Sequence, residues 1–152
     1  MEVRTIDKKD RYYQEIINCL YNQWGKERNE TLKQIDENYD NALGIDSLPI
    51  MRALIINDTL IGSYELNEKD DIDNEEYTPY LAKVYVKEKY RHRGYGSVMI
   101  KDAISLAKNL GYKTLYLHSR LENFYELYGF KFFKEVDTKY GKKRVFKYEI
   151  KE

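Results

Sequence analysis

Arg91-His92-Arg93-Gly94-Tyr95-Gly96-Ser97 joins a strand-like run, Tyr80 to Val86, to a helix-like run, Val98 to Leu110. A strand that enters a helix through two glycines is shaped to hold phosphate. The first turn of a helix carries backbone N–H groups without intrahelical partners and the positive end of the dipole, and glycine lets an anion approach without a Cβ in the way. Arg91, Arg93, Lys87 and Lys89 add positive charge around it. Gly-x-Gly alone also describes a tight turn with a solvated basic face, so the residues around it have to decide.

Spacing removes two kinds of glycine loop. The dinucleotide fingerprint needs a third glycine three residues after the second, where this chain has Met99, and an acidic residue ending the next strand, where it has His118 and Ser119. The nucleoside triphosphate loop needs Gly-Lys-Ser/Thr, whereas Gly96 is followed by Ser97 and Val98.

Outward from the loop, the chain reads as alternating short elements. Glu2 to Ile6 is a strand, and Tyr13, Ile16, Ile17, Leu20, Tyr21 and Trp24 recur at helical spacing up to Gly25. Thr31 caps a second helix, with Leu32, Ile35, Tyr39 and Ala42 along one face and Gly44 beyond it. Ile50 to Ile56 and Leu60 to Leu66 form a hairpin about Asn57-Asp58-Thr59. Asn67 to Tyr77 is a loop by composition, with six acids against Lys69 alone.

After the loop, Met99, Ala103, Leu106 and Leu110 mark a helix stripe that ends at Gly111. Lys113 to His118 alternates, with Leu115 and Leu117 on one face and Thr114, Tyr116 and His118 on the other. A short helix, Leu121 to Tyr128, stops at Gly129, and Phe130 to Val136 with Arg144 to Ile150 closes the chain as a hairpin about Tyr140-Gly141-Lys142. The fold class is α/β (α+β). A largely antiparallel seven-stranded sheet contains one central parallel pair formed across Tyr80 to His118, and four helices flank it.

At 152 residues the chain is read as one domain, 1–152. Lys plus Arg equals Asp plus Glu at 26 each, so no overall field draws in nucleic acid or an anionic membrane, and phosphate binding has to be local. The single cysteine, Cys19, excludes an internal disulfide and fits a reducing compartment; it reads as a small buried residue of the first helix. Met1 to Thr5 lacks a signal peptide's apolar stretch and no segment reaches the length of a membrane span, so a soluble, cytoplasmic protein is expected. No metal-ligand spacing is present, and no metal is expected.

What remains, Arg91-x-x-Gly94-x-Gly96, resembles the pyrophosphate-binding motif of the Gcn5-related N-acetyltransferases (GNAT), a superfamily that uses acyl-coenzyme A. Val84 to Arg91 is similar to the family's strand and approach to the loop, with Glu88 where many members have proline. Phe124-Tyr125-Glu126-Leu127-Tyr128-Gly129-Phe130 resembles its Tyr-Glu-x-x-Gly-Phe segment, and Thr78-Pro79-Tyr80-Leu81-Ala82 the entry to the strand in one branch. The element order also matches the family's.

The resemblance implies an N-acetyltransferase that passes an acetyl group from acetyl-CoA to a primary amine by direct attack in a ternary complex. It implies a sheet splayed at the fourth strand, with pantetheine along Val84, Tyr85 and Val86 and the Val84 N–H as oxyanion donor. The diphosphate would lie on Arg91, His92, Arg93, Gly94, Tyr95, Gly96 and Ser97, with Arg91 and Arg93 favoured over the lysines for charge. His118 would contact the coenzyme. Tyr125 matches the tyrosine that protonates the departing thiolate, and a phenol near pKa 10 suits that sulfur.

The general base is left open among Glu65, Glu76 and a water relay, because Tyr80 stands where some relatives carry a glutamate. The acceptor is a small molecule or peptide amine, and the acids of Asn67 to Tyr77 favour a cationic one. The chain is expected as a monomer or homodimer. A non-catalytic acyl-CoA sensor of the same fold is the alternative, which retention of Tyr125 disfavours.

Overall fold

The computed structural model describes residues 1–39, 43–69, 77–138 and 141–151. Among them the strands are β1 (Glu2–Ile6), β2 (Ile50–Ile56), β3 (Thr59–Asn67), β4 (Tyr80–Val86), β5 (Thr114–Ser119), β6 (Lys131–Thr138) and β7 (Gly141–Glu149). They form one sheet in the order β1-β2-β3-β4-β5-β7-β6, antiparallel throughout except for the parallel pair β4–β5. The expected mixed sheet is therefore present.

The β2–β3 hairpin turns on two residues, not three. Asn57 (φ 49°) and Asp58 (φ 62°) both take the left-handed conformation, and Ile56 pairs with Thr59. Two left-handed residues match the twist of the flanking strands, and Asn and Asp tolerate that conformation better than other side chains.

Three α-helices occur among the described residues, where four were expected: α1 (Tyr13–Leu20), α2 (Leu32–Glu37) and α3 (Tyr95–Asn109). The fourth is a single 3₁₀ turn, Tyr125–Tyr128. Asn123 is left-handed (φ 59°) and Gly129 is too (φ 95°), so no α-helix can extend past either end. α1 widens into a π-helical turn, Tyr21–Gly25, closed by the Lys26 N–H to the Tyr21 carbonyl. The wider turn changes which side faces the core. Tyr13, Ile16, Ile17 and Leu20 stay buried, whereas Tyr21 and Trp24 are only half-buried.

Thr31 caps α2 as expected and does so reciprocally. Its hydroxyl accepts from the Gln34 N–H, and the Gln34 side chain accepts from the Thr31 N–H. Ile35 and Tyr39 are buried, but Leu32 is exposed and Ala42 lies outside the described residues. α1 and α2 cover one face of β1–β3, with Ile16, Ile17, Leu20 and Ile35 against Met51, Ala53 and Ile55. α3 covers the opposite face, its stripe centred on Met99, Ile100, Ala103 and Ala107; Leu106 and Leu110 lie at the margin.

One polar contact fixes α3 to the sheet. Arg52 on β2 bonds both oxygens of Asp102 (Nε–Oδ2 2.9 Å, Nη2–Oδ1 3.1 Å), and reaches the Thr5 hydroxyl and the Val3 carbonyl on β1. Tyr64 on β3 donates to the same carboxylate, and burial together with that charge pushes its phenol well above the ordinary range. Asp102→Ala should cost about 2 kcal/mol, because it leaves a half-buried guanidinium unpaired. Lys33→Ala, at an exposed pair with Glu37, should cost no more than about 0.5 kcal/mol. Urea denaturation of the two variants measures the contrast.

Candidate active site

β4 is a complete sheet member for only half its length. On one side it pairs with β3 from Tyr80 to Val86, but its register with β5 is confined to Tyr80 opposite Tyr116, extended by the Tyr116 N–H to the Pro79 carbonyl. Beyond that point the two parallel strands diverge. Burial follows the same division: Tyr80, Leu81 and Ala82 are buried, and Lys83 to Val86 are not.

A bulge marks the change. Ser63 pairs with Tyr85 and Glu65 with Ala82, so Lys83 and Val84 together face Tyr64 alone. Lys83 takes φ 51°, an uncommon conformation for a lysine in a strand. Val84 has no register partner on either side among the described residues. Its backbone groups stand where the sheet opens.

The loop after β4 carries the next part of the site. A 3₁₀ turn, Glu88–Tyr90, leads to His92 (φ 64°) and Gly94 (φ 84°), two left-handed residues that turn intervening amides toward one side. α3 begins at Tyr95, three residues earlier than the sequence pattern indicates, and its first intrahelical bond runs from Val98 to the Gly94 carbonyl. Tyr95, Gly96 and Ser97 thus form the first turn, with amides free of intrahelical partners. A Cβ added to Gly96 would meet nothing within 4 Å, so no protein packing requires a glycine there.

The four basic side chains near this turn divide sharply. Arg91 folds back on β4: its Nε donates to the Val86 carbonyl (2.8 Å), its Nη2 reaches Gln23 (3.4 Å), and its guanidinium lies 5.6 Å from the Tyr85 ring. Lys87 pairs with Glu15 of α1, and Lys89 lies over the Tyr90 ring. Arg93 is exposed.

The diverging strands open into a groove of about 1360 Å³. Val84, His118, Tyr125 and Glu65 all line it, together with Trp24 from the π-helical turn. Trp24 meets Tyr85 edge to face at 6.2 Å and lines the groove while also packing at the margin of the α1–α2 core. Cys19 is half-buried, and burial raises its thiol pKa.

Tyr125 packs edge to face against Phe124 (4.9 Å) and Phe130 (6.0 Å). That apolar setting pushes its phenol up to about 12, with a smaller contribution from Tyr128. Glu65 is buried (3% exposed) on the opposite wall. Its Oε2 accepts from the Tyr39 hydroxyl at 2.5 Å, and Oε1 lies 3.4 Å from Asn67 Nδ2. Lys83 Nζ bonds the same Tyr39 oxygen at 3.0 Å and lies 3.8 Å from the carboxylate. Burial, with Glu65 beside it, drives the Tyr39 phenol far above its ordinary value.

Glu76 and the acids from Asp70 to Glu75 lie outside the described residues. Among the described residues no group of three or more His, Cys, Asp or Glu is placed to hold a metal, and no helix is long and apolar enough to cross a membrane.

Residues 9–130 match the family described as acetyltransferase (GNAT) family. The chain belongs to that family. An uncharacterized N-acetyltransferase, CgeE, of Bacillus subtilis (strain 168) is 34% identical over 71 residues, a stretch covering 44% of this GNAT chain and 27% of that relative. The chain thus matches about a quarter of that relative's length.

Solved structures with the same GNAT fold include an aminoglycoside 6'-N-acetyltransferase complexed with coenzyme A, at TM-score 0.78 and 14% identity over 100% of this chain and 98% of that one. A spermidine N-acetyltransferase from Vibrio cholerae, in complex with CoA and spermine, aligns at TM-score 0.71 and 19% identity over 98% and 95%. At such identities the likeness is one of fold.

Sequence reasoning placed the loop, Val84, Tyr125, His118 and Glu65, and the structure gathers the last four on one groove. It missed Tyr39 and Lys83 as partners of Glu65. Nothing in a strand pattern reveals that Lys83 sits on a bulge, and Tyr39 was read only as one of the apolar positions on helix two. The two glycines should respond oppositely to alanine. Gly94→Ala, at φ 84°, should lose about 1 kcal/mol, whereas Gly96→Ala, unobstructed, should gain about 0.5 kcal/mol, both read from thermal melts of the ligand-free chain.

Proposed function

We propose that this chain transfers an acetyl group from acetyl-CoA to the primary amine of a small molecule or peptide by direct attack in a ternary complex. The observation that carries the reading is the end of β4–β5 pairing at Tyr80 and Tyr116, with Val84 unpaired beyond it and Tyr125 on the same groove. The free amides of Tyr95, Gly96 and Ser97, with the open approach at Gly96, fit the coenzyme's diphosphate. Arg93 is the side chain available for a further phosphate, while Arg91 contributes by bracing the end of β4. Val84, Tyr85 and Val86 offer backbone groups to the pantetheine arm.

Acetyl-CoA supplies an activated thioester. Around it, the Val84 N–H donates to the carbonyl oxygen as negative charge develops there. The amine enters from the α1–α2 side, where Glu65 is the described carboxylate placed to accept its proton, directly or through water. As the new C–N bond forms and the C–S bond breaks, the Tyr125 hydroxyl gives its proton to the sulfur. Cytoplasmic location and the monomer or homodimer state belong to the same proposal.

Tyr125→Phe should lower kcat by about 10²-fold, within the range for a lost general acid, with coenzyme affinity little changed. Because the folded pKa is raised from 10.0 to about 12, Tyr125 stays protonated through alkaline pH; kcat should show no falling limb below about pH 10. A steady-state pH profile with free-thiol detection reads both. Coenzyme bound without thiol release on any amine, and indifferent to Tyr125→Phe, would favour the sensor reading. Glu65→Gln should reduce kcat/KM by about 10²-fold near neutral pH, with thermal melts to exclude unfolding. The alanine that stabilises the ligand-free protein at Gly96 should raise the coenzyme Kd about tenfold in titration calorimetry, by crowding the diphosphate.

A further inference from the structure

Lys143 is the one buried lysine of the described core, 8% exposed, and it lines the groove. On β7 it has the parity of Val145, which pairs with His118, whereas Phe146 faces α3; its side chain therefore shares the sheet face of His118, opposite α3. Glu65 lies on that same face, between Tyr64 and Leu66, which both pack toward α3. Lys143 and Glu65 are thus on opposite walls of one groove, with the β4–β5 opening between them.

The described carboxylates of the groove all lie on one wall, interspersed with Arg28, Lys69 and Lys83. Every described acid lining the groove, Glu27, Glu30, Glu65 and Glu68, lies on the side built from the π-helical turn, its following loop and β3. The β5–β7 side contributes Arg120 and Lys143 and no carboxylate among the described residues. Lys83 already has Glu65 and Tyr39 as partners, and Arg28 and Lys69 on the same wall are engaged as well. Lys143, in contrast, has no hydrogen bond or ion pair among the described residues, although its neighbours on β7, Lys142 and Arg144, pair with Glu135 and Glu122.

Burying an ammonium without a counter-ion is unfavourable, and an uncharged side chain of similar length would serve a purely structural role at less cost. We propose, resting on the acetyltransferase reading, that the acceptor carries an anionic group besides its amine, and that Lys143 binds that group. Glu65 draws the amine end and Lys143 holds the other. Because the amine reacts in the gap between β4 and β5, and β7 is the next strand beyond β5, the two ends are roughly 5–10 Å apart, one to two strand spacings. That span fits an amino carboxylate or amino phosphate whose charges are separated by several bonds. It departs from the expectation that the acids of Asn67 to Tyr77 favour a cationic acceptor.

Trp24, the sole tryptophan, lines the groove and reports occupancy without turnover. The full chain, saturated with CoA, is titrated with matched pairs by Trp24 fluorescence: 4-aminobutyrate against butylamine, 6-aminohexanoate against hexylamine, and phosphoethanolamine against ethanolamine. At least one acidic member should bind about tenfold more tightly than its neutral-tailed partner. The carboxylate and phosphate arms identify which anion is held.

Lys143→Gln should bring the ratio to within about twofold, and Lys143→Arg should retain most of it. Lys143→Met, checked by circular dichroism, serves should the glutamine variant fail to fold. Equal binding of both members by the wild type, a preference that survives loss of Lys143, or no binding of any member overturns the proposal. Acid-selective, Lys143-dependent binding with no thiol released from acetyl-CoA would uphold the anion seat and reject the transfer reaction.

Discussion

The arrangement depends on a strand that must be paired on both sides at its start and on only one side at its end. β4 meets that condition by a bulge. With Lys83 left-handed and two residues set against Tyr64, the strand keeps its ladder to β3 through Val86 while turning away from β5 after Tyr80. Backbone groups that would otherwise complete a ladder are left facing the groove, where unpaired polar groups are costly unless something else satisfies them. The site is thus cut from the sheet itself, and its wall positions are set by register more than by loop conformation.

Around that opening the two helical layers have separate tasks. α3 packs on one face and brings its first turn to the end of β4; α1, its π-helical turn and α2 pack on the other and supply Trp24 and Tyr39. Gly25 lets these last two segments meet closely, since a Cβ there would stand 2.8 Å from Ile35 Cδ1. The groove joins the two faces through the sheet, which is why residues from β3, β4, β5 and β7 can share one cavity.

Most of the fold was legible because its elements are locally marked. The strand limits of β1, β2 and β4, the Thr31 cap and the stops at Gly111 and Gly129 follow from alternation, capping chemistry and left-handed glycines. Two features were not legible. The π-helical turn preserves an apparently regular apolar spacing while turning Trp24 to the margin of the core, where it also lines the groove. The start of α3 at Tyr95 is hidden because Tyr95, Gly96 and Ser97 form a first turn without an apolar stripe. Lys143 was hidden because the sequence pattern starts the last strand at Arg144, whereas β7 begins at Gly141 and sets Lys143 in phase with Val145.

Arg52 joins parts of the molecule that are remote in the chain. It contacts Val3 and Thr5 on the outermost strand and Asp102, 50 residues away, on α3. The edge of the sheet and α3 therefore share one guanidinium. Loosening either exposes a charge that the other has helped to solvate, so the two regions form a single cooperative unit, to which Val3 adds its packing on the α3 side of the sheet. In hydrogen exchange, the β1 amides and those of the first turns of α3 should therefore lose protection in the same opening event.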